Sequence, residues 1–84
     1  MLNVIVEKEV KTNLQLGRKI AKLRTSRGWN QEELAFRSNL NRNYLSDLEN
    51  GRRNPSLKVL EKIAFAFEIN LETLFKGITS FPFI

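Results

Sequence analysis

The sequence contains no cysteine and no histidine. The first absence excludes a disulfide framework and a thiolate zinc site. The second removes the commonest general base and the commonest metal ligand together. With no paired-carboxylate motif to replace them, neither an enzyme activity nor a metal or other cofactor is expected. No run of about 18 apolar residues occurs, so a membrane span is not expected either. The opening Met1-Leu-Asn-Val-Ile-Val lacks the basic start and cleavage site of a signal peptide. The expected location is therefore the cytoplasm.

What is present reads as one small soluble domain. The 84 residues are 42% hydrophobic and 27% charged, an ordinary globular balance. A chain of this size buries only about 60% of its unfolded surface, so dimerisation would add useful burial. Net charge is +5, and its placement is informative. Between Arg18 and Arg53 lie nine basic and four acidic side chains, while the rest of the chain balances five against five. All the excess positive charge thus falls in one stretch, the footprint of a polyanionic partner.

Within that stretch, residues 30–51 read as two short helices meeting at a tight corner. Asn30 is placed to cap the first, with Glu33 at the capping-box position. Leu34 and Ala35 point inward, and the small Ala35 allows close helix approach. Ser38 and Asn39 form the corner, where Asn tolerates left-handed backbone. Leu40 fills the space between the helices. Asn41 caps the second helix, Leu45 and Leu48 face inward, and Gly51 ends it. An ordinary helical corner would give part of this pattern. The outer face of the second helix, with Arg42, Asn43, Tyr44, Ser46 and Asp47, and the basic flanks favour a helix-turn-helix that enters a DNA major groove.

Gln31-Glu-Glu-Leu-Ala and Leu45-Ser-Asp-Leu-Glu-Asn-Gly are similar to the motif of the phage repressor and Cro proteins, the XRE family. The resemblance runs from about Leu16 to Phe75. Asn39 stands where that family usually has glycine, and Ser38 where an apolar residue is common. The resemblance implies that Glu49 pairs with an arginine of the first helix, and the matching position is Arg24. The small size suits restriction–modification controller proteins, which the chain also resembles, and a small phage repressor fits almost as well. An antitoxin of a toxin–antitoxin pair, using the same fold to hold a protein partner, is the alternative of a different class.

The residues themselves suggest a division of labour on double-stranded DNA. Arg42 and Asn43 begin the second helix, the end that meets base edges in such folds. The arginine fork fits guanine O6 and N7, and an asparagine amide fits adenine N6 and N7. Asn41, Tyr44, Ser46 and Asp47 complete the candidate base-contact set, although Asn41 is also the expected cap. Gln31, Arg52, Arg53 and Asn54 are candidates for phosphate contacts, Gln31 because it opens a helix whose free N–H groups favour anions.

Around this motif the sequence predicts a compact all-α bundle of five helices. Thr12 and Gln15 form a capping box that would start the first helix near Asn13, with Leu16, Ile20 and Leu23 on one face. Trp29 would pack at a joint. Ser56 would cap a helix with Leu57, Leu60, Ile63, Ala64 and Phe67 inward, and Asn70 a last one over 71–76. The domain is thus expected over 12–77. Residues 1–11 alternate like a short strand but equally suit an ordered arm or a loose terminus. The tail, 78–84, is apolar and either folds back or meets a partner. Phe65, Leu74, Phe75 and Ile78, with Phe81 and Phe83, are the expected contacts of a homodimer. No small-molecule ligand is expected.

Overall fold

The computed structural model describes residues 2–78, with side chains from Thr12 onward. It is all-α, and five helices are found among the described residues: α1 Leu2–Ser26, α2 Gln31–Ser38, α3 Arg42–Glu49, α4 Leu57–Phe67 and α5 Leu71–Phe75. Local chemistry sets most of their ends. Asn30 Oδ1 accepts from the Glu33 N–H at 2.8 Å, and Asn70 Oδ1 from that of Thr73 at 2.7 Å. Ser56 Oγ does the same for Val59 at 3.2 Å. Each satisfies a donor that the first turn of a helix leaves orphaned.

The amino end departs from the sequence expectation. Residues 2–11 are neither a strand nor an arm outside the first helix, because α1 runs unbroken from Leu2 through Thr12. The Thr12–Gln15 pair is therefore inside the helix rather than at its start. Between Leu2 and Leu16 there is no glycine or proline to stop propagation, and adding residues to a helix already nucleated costs little. The local alternation of Leu2, Val4 and Val6 was too short to override this.

The helices pack around one core. α1 lies against α3 and α5, α2 against α3 and α4, and α4 against α5. Ile20, Leu34, Leu45, Leu48, Ile63, Phe67 and Leu74 are fully buried at its centre. Trp29 covers the joint, its ring stacked on Phe67 at 5.5 Å between centroids and 6° between planes. Two long cations lock distant elements: Arg27 donates to the Phe67 carbonyl at 2.8 Å, and Lys19 Nζ to the carbonyls of Thr73 and Lys76 at 3.1 and 2.7 Å. Lys19 thereby supplies both donors and positive charge to the carboxyl end of α5.

Several apolar positions fall elsewhere than expected. Leu57, placed inward by its spacing, is 62% exposed, because it is the first residue of α4 and lies beyond the reach of the core; Val59 packs there instead. Leu74 is completely buried within its own chain, filling the contact of α5 with the core. It cannot be a principal dimer contact, and that expectation is corrected. Phe65 is 80% exposed, Phe75 borders on exposed, and Ile78 packs partly against the core. Phe81 and Phe83, with the rest of 79–84, lie outside the described residues. Phe36, which its helix position did not single out, is exposed on α2.

Gly17 fixes how closely α1 meets the end of α3. A Cβ built there would overlap the Leu48 carbonyl and lie 2.6 Å from the carbonyl oxygen of Glu49. These are backbone atoms and cannot rotate away. Gly17→Ala should therefore lower the thermal midpoint even though alanine favours a helix over glycine by about 1 kcal/mol. Overpacking of this kind costs about 1–3 kcal/mol, roughly 4–8 °C per kcal/mol in a domain this small. Thermal unfolding followed by circular dichroism checks this, and an unchanged or raised midpoint would show that the two helices are not in contact.

Candidate nucleic-acid interface

Helix α3, the second helix of the motif, is anchored at both ends. Asn41 Oδ1 accepts from the N–H groups of Asn43 and Tyr44 at 2.8 and 3.1 Å. Leu45 and Leu48 carry the inner face into the core. At the other end Gly51 takes φ 76°, a left-handed conformation that side chains disfavour. Its N–H donates to Leu48 O at 3.1 Å and the Arg52 N–H to Asp47 O at 2.9 Å, the paired bonds of a Schellman motif. The corner before α3 uses Asn39 at φ 56° and ψ 46°, so the asparagine does the work of a glycine. Ser38 is buried there, and its hydroxyl is satisfied by donating to Leu34 O at 2.7 Å.

What this presents outward is uneven. Arg42 and Asn43 are exposed at the first turn of α3, and among the described residues neither side chain has a polar partner. Their donors and acceptors are available for base edges. Asn41 is exposed too, but its side-chain oxygen is committed to the cap, leaving only the amide nitrogen free to donate. Tyr44 is half-buried with its ring packed on the core. Ser46 and Asp47 are half-buried one turn further on.

Behind α3 sits a polar junction of three helices. Glu49, only 8% exposed, receives Arg24 Nε at 2.7 Å and a second guanidinium nitrogen at 3.0 Å. The Gln31 side-chain amide donates to the same carboxylate at 2.9 Å. Arg24 also donates to the Trp29 carbonyl at 2.8 Å. Such a bidentate, charge-assisted arrangement leaves no buried polar atom of the site unsatisfied. Gln31 was expected on the phosphate side. One of its amide hydrogens goes to Glu49, which orients the side chain and leaves the second amide hydrogen, with the first-turn N–H groups of α2, to meet an anion.

Arg52, Arg53 and Asn54 follow α3, all exposed. Arg52 and Arg53 both reach back to Asp47, at 3.5 and 3.4 Å, and the Arg53 guanidinium lies 5.2 Å from the centroid of the Tyr44 ring. Arg18 is exposed on α1, whereas Arg27 is held over Trp29 and Phe67 and belongs to the packing. Neither this role of Arg27 nor that of Lys19 had a local signal in the sequence. Each reaches a carbonyl at least 40 residues away.

The family profile described as helix-turn-helix matches residues 20–74, well over half the chain. The chain belongs to the XRE-type helix-turn-helix family. It is 42% identical over 66 residues to the control protein C.MunI of Mycoplasma sp, covering 77% of this chain and 89% of that protein. It is 39% identical over 61 residues to the immunity repressor of Bacillus phage phi105, covering 73% of this chain. The chain spans about half the length of that repressor and of the regulator DdrOP3 of Deinococcus deserti, 42% and 50% respectively. Among solved structures it is similar to the restriction–modification controller protein C.AhdI from Aeromonas hydrophila, with TM-score 0.72 and 42% identity over 74% of this chain and 94% of that one. It is also similar to the controller protein C.Esp1396I, solved as a tetramer in complex with its natural 35 base-pair operator, with TM-score 0.73 and 34% identity over 80% and 88% of the two chains.

The Glu49 junction gives a direct test of how this helix-turn-helix is held together. Arg24→Ala leaves a buried carboxylate short of its main partner and should cost about 3–5 kcal/mol. Arg24→Ala with Glu49→Ala removes both charges and should recover part of that loss, a coupling of roughly 0.5–3 kcal/mol in a double-mutant cycle of urea unfolding. Strict additivity would mean that the pair is not formed in solution.

Proposed function

We propose that the protein is a sequence-specific regulator of transcription that binds double-stranded DNA as a homodimer on an inverted repeat. In this reading it acts as a controller protein of a restriction–modification system. The observation that carries this reading is the pairing of an exposed, uncommitted Arg42–Asn43 edge with a helix held rigidly from behind. A base-reading group needs free donors and a fixed backbone, and α3 has both. The relatives that are named controllers and repressors support it. The reading places the protein in the cytoplasm without catalytic activity of its own. No helix among the described residues is long and apolar enough to cross a membrane.

One α3 covers only a few base pairs, too few to mark a single genomic site. Two copies related by a two-fold axis would present their recognition helices about 34 Å apart, one turn of DNA. Besides Phe36 and Leu57, which are also exposed, Phe65 and Phe75 on α4 and α5, with Ile78 three residues past Phe75, are the apolar groups assigned to the partner copy. These three lie outside the stretch that carries the excess positive charge, so the same copy could hold DNA and partner together.

Binding curves on a selected operator and on random duplex separate the two classes of contact. Arg42→Ala should lose roughly 1–3 kcal/mol per half-site on operator and little on random DNA. Arg52→Ala should weaken both about equally and flatten the salt dependence. Equal losses on both DNAs for Arg42→Ala would reduce it to a phosphate contact. For assembly, sedimentation at micromolar concentration should show a dimer that Phe65→Asp with Phe75→Asp converts to a folded monomer. A double variant that stays dimeric would move the interface elsewhere.

A further inference from the structure

Asp47 is an awkward residue for a DNA-reading helix. It lies one turn beyond Asn43 on the same face, and it puts negative charge near the carboxyl end of α3, where the helix dipole disfavours it. The structure shows what offsets this. Oδ1 of Asp47 faces Arg52 at 3.5 Å and Oδ2 faces Arg53 at 3.4 Å, while Arg53 rests over Tyr44. Both oxygens of one carboxylate are thus occupied by the two arginines that follow the helix. These pairs are long and solvent-exposed, with the arginine side chains 69% and 50% accessible. Contacts of that kind are weak and exchange readily.

A phosphate and Asp47 therefore compete for the same guanidinium groups. If the arginines move to phosphate, Asp47 is left as a bare carboxylate facing the groove, in the field of the DNA backbone and of its own helix end. Only one feature of a base pair in the major groove relieves that: an exocyclic amino group, cytosine N4 or adenine N6, which donates to a carboxylate oxygen. A guanine O6 or thymine O4 acceptor at the same place repels it.

We infer that Asp47 is a specificity-determining residue that couples base reading to phosphate binding: it retains Arg52 and Arg53 on a wrong sequence and releases them when its carboxylate meets an amino donor in the major groove. The inference rests on the DNA-binding reading above. It assigns Asp47 a role beyond a single base contact, because the penalty on a wrong sequence is carried by three side chains together.

Asp47→Asn tests it, using the full chain, an operator that the wild type selects from a pool of random duplexes, and unselected duplex DNA. Freed of their counter-charge, the arginines should raise affinity for unselected DNA roughly two- to thirtyfold, the range set by two weak exposed pairs. Affinity for the operator should rise less or fall, so the operator-to-random ratio drops. Glu61→Gln on α4 makes the same charge change away from α3 and should leave that ratio alone. In an Arg52→Ala, Arg53→Ala background, Asp47→Asn should no longer increase binding to unselected DNA. A gain that persists without the arginines, or that Glu61→Gln reproduces, overturns the inference while the operator reading stands. A wild type that selects no duplex at all overturns both.

Discussion

Glu49 is a carboxylate closed off from solvent, and three side-chain hydrogen bonds from two other helices converge on it. An ion so placed is costly unless every lone pair has a donor, and the cost makes its position non-negotiable. Arg24 brings in α1, Gln31 brings in α2, and Glu49 is the last residue of α3. The junction therefore fixes three helices relative to one another at the point where α3 ends. Because Arg24 also holds the Trp29 carbonyl, the turn leading into α2 is tied to the same junction. The hydrophobic core could tolerate small sliding of helices past one another. A bidentate guanidinium–carboxylate pair cannot.

The other restraints on α3 complement this one. Gly17 lets the backbone of α1 touch the carbonyls at the end of α3, on the element that also carries Arg24. Asn41 and Gly51 close the two ends of the helix without any help from the core. The outcome is that the backbone of α3 is determined from behind and from its termini, and among the described residues the side chains of Arg42 and Asn43 carry no polar contact of their own.

Much of this was readable from residues alone, and the reason is locality. Asn30, Asn41, Ser56 and Asn70 act on N–H groups two or three positions away, so spacing suffices to place them. The apolar spacing of Leu34, Leu45 and Leu48 fixes two short helices and the face that each buries. What escaped the sequence depends on tertiary placement. The Thr12–Gln15 signal is a genuine local preference that a continuing helix overrides. Leu57 has the right phase for the core but sits past its edge, and Leu74 has a phase that suits a partner but is taken by its own domain. Lys19, Arg27 and the Gln31 amide make contacts whose partners lie 18 to 57 residues distant, for which no periodicity exists.

The freedom of Arg42 has a thermodynamic side. Gln31 and Arg53 are already held in the free protein, by Glu49 and by Tyr44 with Asp47. Their rotamers are partly chosen before any encounter. Among the described residues Arg42 has no such support, and immobilising a long side chain of that kind costs about 0.5–1.5 kcal/mol in lost rotamer entropy. Under the proposed function that cost falls on the residue that would meet a base edge. Every base pair that orders the arginine bears that cost alike, and what separates one sequence from another is the pair of parallel hydrogen bonds that guanine O6 and N7 accept. Under the same reading, a variant that held Arg42 ready in its reading rotamer would bind more tightly by about that cost without losing its preference among sequences.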